Sequence, residues 1–178
     1  MVRRTHDRVD PWLLAEQEQV LEGRIPLETL SRLAPLLVEN TGEAAFVLQF
    51  GRDESGRSVI HSSVRADLKL ECQRCLEAMT HAVDFQGELA LVRGLLEAEQ
   101  LPRELDPLMI QESGLLEVQE LIEDELLLSI PVSPRHQAGT CQAHENETVP
   151  QETSPEVAGP NNPFAVLAGL KTGSTDDN

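Results

Sequence analysis

The residues here best suited to metal or redox chemistry are Cys72 and Cys75, three positions apart in "LECQRCLEAMTHAVDF", and a later group of His136, Cys141 and His144. A Cys-x-x-Cys turn offers two thiolates to a tetrahedral metal such as zinc. The later group, or His81 nearer in sequence, supplies candidates for the other two positions. A redox couple is the second reading, but it needs the first cysteine at a helix N-terminus after a strand, where the helix dipole depresses the thiol pKa. The third makes Cys72 a small apolar side chain at a strand end and Cys75 part of a turn, and on the residues alone it weighs most.

Carboxylates offer less. Glu117, Glu120, Glu123, Asp124 and Glu125 crowd one segment, but successive residues of a helix face different ways, so a solvated acidic face is expected rather than an acid/base pair. The chain has no glycine-rich phosphate loop, nucleophile elbow or His-Glu-x-x-His zinc motif. No catalytic residue is implied, and the protein is not expected to be an enzyme. Arg52, Arg57, Arg65, Lys69 and Arg74 form a local basic set. It reads either as a solvated sheet face or as a contact for RNA phosphates.

These residues need elements to position them. Alternating apolar residues in "AAFVLQF" and in "RSVIHSSVRADLKLEC" predict strands. Val64, Ala66, Leu68, Leu70 and Cys72 fall on one face and Arg65, Asp67, Lys69 and Glu71 on the other. The alternation resumes through His81, Val83, Phe85, Gly87, Leu89 and Leu91, so two antiparallel strands flank the loop "CQRCLEAM". "GRDESGR" predicts the turn before them. Between Pro11 and Leu37, leucines near helical spacing predict two short helices broken at "EGRIP". In "SGLLEVQELIEDELLLSIP", Leu116, Leu121, Ile122, Glu125 and Leu128 predict a helix to about Ser129, stopped by Pro131 and Pro134.

The expected fold is α+β, a small, mostly antiparallel sheet with N-terminal and central helices. It forms one domain over 1–136, with a flexible acidic tail over 137–178 that carries a short helix at 162–171. That helix is "NPFAVLAGLK", whose Asn162, Pro163, Phe164 and Leu167 could pack at home or enter a partner's groove.

Over 178 residues, 14 Lys and Arg face 31 Asp and Glu, a formal charge of −17 that repels phosphate and anionic lipid over most of the surface. DNA and membranes are not expected partners. The chain lacks a run of about 18 apolar residues and an apolar secretory core after its charged start, and its three cysteines are an odd number, so a cytoplasmic, reduced setting is expected.

"LECQRCLEAMTHAV", "LIEDELLLSIPVSPRH" followed closely by Cys141, and the terminal "NPFAVLAGLK" together resemble the YceD family, the large ribosomal RNA subunit accumulation proteins of bacteria and plastids. The resemblance runs from about Pro11 to Lys171 and implies a non-enzymatic factor for accumulation, processing or assembly of large-subunit (23S) ribosomal RNA. The motif residues it carries over are Cys72, Arg74 and Cys75, then Glu123, Asp124 and Glu125, then Pro131, Pro134, His136 and Cys141. Family members can carry a second cysteine pair near the C-terminus. Here only Cys141 stands there, which makes His136 the substitute ligand in a Cys72, Cys75, His136, Cys141 zinc set.

Two other functions compete. One is an acidic adaptor that grips a basic ribosomal protein or assembly factor through Glu123, Asp124, Glu125 and the terminal segment. The other is a zinc-dependent RNA-processing enzyme, which needs an open metal position with a base beside it.

Overall fold

Period-two alternation dominates the middle of the chain, and the longest strands form there. A computed structural model describes residues 8–111, 113–137 and 140–141. Its elements, in chain order, are β1 (Arg8–Val9), α1 (Pro11–Glu16), β2 (Val20–Pro26), β3 (Glu43–Arg52), β4 (Ser58–Glu71), β5 (Ala78–Val92), α2 (Leu95–Ala98), β6 (Asp106–Met109), β7 (Leu116–Glu117) and α3 (Val118–Ser129). The main sheet has five strands in the order β2-β3-β4-β5-β6, antiparallel except for the parallel β5/β6 pair, while β1 and β7 form a separate antiparallel pair. The fold is α+β, as the alternation predicts.

One face of the sheet carries the core. Phe46, Leu48 and Phe50 of β3, Ile60, Val64, Leu68 and Leu70 of β4, and Val83, Leu89 and Leu91 of β5 are buried there. They pack with Leu14 and Ala15 of α1 and with Val118, Leu121, Ile122 and Leu126 of α3. The β4/β5 register sets Val64 opposite Phe85 and Ala66 opposite Val83, so both strands turn their apolar rows to the same side. In the β3/β4 turn, Asp53 Oδ1 accepts from the backbone N–H groups of Ser55 and Arg57, and Gly56 takes a φ of 81° that side chains resist.

The N-terminal segment differs from expectation. α1 forms, with Asp10 Oδ1 capping the N–H groups of Trp12 and Leu13. The residues around "EGRIP" are not a break between helices but strand β2. Leu27, Leu30 and Leu33 are fully buried, yet they sit in and beside two 3-10 turns rather than on an α-helix: Leu27 opens the turn at Leu27–Thr29, Leu30 follows it and Leu33 precedes the turn at Ala34–Leu36. A spacing of three also suits a three-residue turn, and Pro26 and Pro35 bring no N–H with which to extend a helix.

α3 ends at Ser129 as predicted, but its face is rotated. Val118, Leu121, Ile122, Glu125 and Leu126 are buried, while Leu128 is 82% exposed. The segment at 162–171, with Asn162, Pro163, Phe164 and Leu167, lies outside the described residues, as does His144. No described helix is long and apolar enough to cross a membrane.

Candidate metal centre

The β4/β5 connection is a tight turn built around its first cysteine. Cys72 N–H donates to the Glu77 carbonyl at 2.9 Å and Leu76 N–H donates to the Cys72 carbonyl at 2.9 Å. Leu76 takes a φ of 61°, in the left-handed region that a residue with a Cβ seldom enters. The turn thereby directs both cysteine side chains inward, and both are buried.

The chain beyond α3 returns to this turn. Gln73 N–H donates to the Pro134 carbonyl at 2.8 Å, bringing His136 and Cys141 alongside. Cys75 Sγ lies 3.4 Å from His136 Nδ1, and Cys72 Sγ lies 3.9 Å from Cys141 Sγ. All four ligand atoms fall within 4.8 Å of one another. Thiolate sulfurs about 2.3 Å from a tetrahedral zinc stand about 3.8 Å apart, with a sulfur-to-nitrogen edge a little shorter. The group therefore has the dimensions of a tetrahedral ligand cage. Residues from either side of α3, more than sixty positions apart, meet as one cluster that can hold a metal ion.

The electrostatics point the same way. Burial alone would raise the Cys72 pKa. The backbone N–H groups of Cys75, His136 and Arg74 and the Cys75 thiol direct hydrogen bonds at its sulfur, and these outweigh burial and hold it at about 5. Cys141 is pushed up to about 11, first by burial and then by its contacts with Cys75 and Cys72 and their charge. Cys141 therefore keeps its proton beside the Cys72 thiolate, and a bound divalent cation would supply the charge that lets both ionise. The donor set of three thiols and an imidazole fits zinc better than it fits hard, oxygen-seeking ions.

The other sequence candidates are distributed differently. His81 is not in the cage, because its Nε2 lies 3.1 Å from the Ser129 carbonyl and ties β5 to the end of α3. Arg57 is bound to Asp53 at 2.6 Å, Arg65 to Asp84 at 3.0 Å and Arg52 to Glu16 at 3.5 Å, so three of the five basic candidates are partly neutralised. Lys69 donates to Thr80 Oγ1 at 2.7 Å. Arg74 is exposed at the cysteine turn and forms no ion pair among the described residues.

The acidic helix is not a uniformly solvated face. Glu123 is 4% exposed. Its Oε1 accepts from the backbone N–H groups of Arg32 and Leu33 at 2.7 and 3.1 Å, and its Oε2 accepts from Arg32 Nε at 3.0 Å. Arg32 also donates to Asp124 at 2.6 Å, and hydrogen bonds to Asp124 and then Glu123 raise the guanidinium's pKa. Glu125 is also 4% exposed, with its pKa raised to about 7 by burial and then by the nearby charges of Asp106 and Asp124. Sequence reasoning missed the Arg32 to Glu123 clamp. Its one trace is an arginine set between the buried Leu30 and Leu33, which must turn outward toward some partner.

The family model described as "Large ribosomal RNA subunit accumulation protein YceD" matches residues 60–171, a span that holds most of β4, the cage and α3. The chain belongs to the YceD family. Among curated relatives, the "Large ribosomal RNA subunit accumulation protein YceD" of Haemophilus influenzae is 32% identical over 163 residues, covering 92% of this chain and 94% of the relative. No solved structure matches the chain. The matched family span begins within β4, so β1, α1, β2 and β3 lie before it, although the bacterial relative aligns over nearly the whole chain.

Proposed function

We propose that this chain is a non-catalytic cytoplasmic factor for accumulation of large-subunit (23S) ribosomal RNA, acting in its processing or assembly, and that the metal in its cage is zinc. The observation that carries the reading is the 32% identity, over 92% of the chain, to a relative named for that role. The cage supports a structural part for the metal. Cys72, Cys75, His136 and Cys141 would fill all four tetrahedral positions, whereas catalytic zinc keeps one for water or substrate. Bound zinc would supply the charge that lets these thiolates sit together. The chain's own part is to fix the β4/β5 turn against the segment after α3.

That turn is where contact with RNA is best placed. Arg74 and Arg135 are exposed on the two segments that the cage joins, and neither makes an ion pair among the described residues. Phosphate contacts depend on such local charges even on an acidic protein. The acidic adaptor has less support, because Glu123 and Glu125 are buried and Asp124 is engaged by Arg32.

The test is a clean deletion. It lowers mature or precursor 23S RNA relative to small-subunit RNA, and the wild-type gene restores the ratio. Cys75→Ser fails to restore it, and so does Arg74→Glu with Arg135→Glu in a protein that keeps its metal. An unchanged RNA ratio in the deletion would refute the function. Full rescue by the arginine variant would refute direct RNA contact at the turn.

A further inference from the structure

Strand β2 is an edge of the main sheet, paired on one side only among the described residues. The hydrogen-bond parity of that pairing follows from its ends. Phe50 N–H donates to the Gln19 carbonyl at 2.9 Å and Leu27 N–H donates to the Gly42 carbonyl at 3.0 Å, in the same register that sets Val20 opposite Gln49. Odd-numbered residues of β2 therefore bond to β3. Val20, Glu22 and Arg24 turn their N–H and C=O groups outward. Pro26 closes this free edge, since it has no N–H and its carbonyl already accepts from Thr29 Oγ1 at 2.8 Å.

A free edge invites a strand, and charge on it usually prevents pairing. Here the charges select a partner instead. Glu22 and Arg24 are exposed side chains of opposite sign on the same sheet face, either side of Gly23; Arg24 also makes a long, solvent-exposed ion pair with Glu43 of β3 at 3.5 Å, which leaves its guanidinium open to a second carboxylate. If a second β2 pairs antiparallel with Gly23 on the two-fold axis, each Glu22 faces the other copy's Arg24. The bonding groups of residues 22 and 24 then meet as two reciprocal hydrogen-bonded pairs. Moving the register by two residues either way sets Glu22 against Glu22 or Arg24 against Arg24. One register alone satisfies both backbone parity and charge.

The geometry points to β2 as a self-association edge, whose occupant is a second copy of this chain and whose product is a continuous sheet across a two-fold axis. Only one short strand from each copy forms the ladder, so association is weak and concentration-dependent. Each copy carries a charge of −17, so moderate salt strengthens the dimer by screening that repulsion. This inference stands independently of the RNA reading and of the metal cage.

The test is sedimentation equilibrium of the full, metal-loaded chain over roughly 1 to 200 µM at physiological salt. Wild type shows a monomer–dimer equilibrium. Glu22→Arg alone and Arg24→Glu alone each weaken dimerisation at least about tenfold, because each sets like charges opposite one another twice. An equimolar mixture of the two variants restores a dimer, since every facing pair in the heterodimer is then Glu with Arg. That recovery excludes misfolding as the cause of the single-variant loss. A wild-type monomer throughout, a dimer that neither substitution weakens, or a mixture that stays monomeric would each overturn the inference.

Discussion

Glu125 gives the folded protein a pH dependence whose sign and size follow from its position. Its carboxyl is buried in α3 and titrates near 7, against 4.5 in an unperturbed chain. Burial is the main cause, with Asp106 on β6 and Asp124 on its own helix adding like charge. Below pH 4.5 both the folded and unfolded states hold the proton, and Glu125 contributes no slope. Between 4.5 and 7 the unfolded state releases the proton and the folded state keeps it, so stability falls as pH rises. Above 7 both states are ionised, and the loss is complete. At about 1.4 kcal/mol per pH unit, the gap from 4.5 to about 7 amounts to about 3 kcal/mol. Glu125→Gln removes the titration while keeping size and polarity. The assay is urea unfolding of both proteins, metal-loaded, at half-unit steps from pH 4.5 to 8.5. The informative quantity is the change with pH of the stability difference between variant and wild type, because other titrating groups cancel and a fixed cost of burying an amide appears only as an offset. That difference shifts in the variant's favour by about 3 kcal/mol across the window and is flat above it. A pH-independent difference would refute the assignment of Glu125 as a buried carboxyl that must ionise in place.

Further outcomes follow from other sites. Purified wild-type protein carries one zinc per chain by native mass spectrometry, and Cys75→Ser and His136→Ala each lose it, since each removes one of four ligands. Glu123→Ala lowers the free energy of urea unfolding by about 3 kcal/mol, because the Leu33 N–H is left buried without its acceptor and Arg32 loses the acceptor of both its backbone N–H and its Nε–H. Leu76→Gly raises the melting temperature, relieving the 61° φ at an exposed side chain by about 1 kcal/mol. Gly87→Ala lowers it by an equivalent of about 1 to 2 kcal/mol, since the added Cβ would lie 2.6 Å from the tip of the Phe85 ring, which must swing off the core.

Much of the sheet was legible because its signal is local. Along β4 the residues from Val64 to Leu70 alternate without interruption, and Asp53 through Gly56 carry the chemistry of a tight turn. β2 was not legible, since Gly23 and Pro26 within seven residues read as a break although the strand beside β3 accepts both at an edge. The leucines at 27, 30 and 33 identified their burial correctly and their helix type incorrectly, because a spacing of three serves an α-helix and a 3-10 turn alike. The acidic segment was read as solvated from its composition. Whether a carboxylate is wet depends on what packs over it, and for Glu123 that is a backbone turn ninety residues earlier in the chain.

The sequence by itself determined the alternating strands, the end of α3 before Pro131, the acidic balance and the presence of four residues with metal-binding chemistry. Each of those is a property of neighbours in the chain, where periodicity and residue type act directly. Only the tertiary structure decided that Cys72, Cys75, His136 and Cys141 share one cage, that Glu123 and Glu125 are dry, that three of the arginines are partly neutralised, and that β2 is paired on one side only among the described residues. The cage and the covering of Glu123 bring together atoms about sixty to ninety residues apart, and the β2/β3 pairing joins residues 17 to 29 apart; no spacing along the chain encodes either approach.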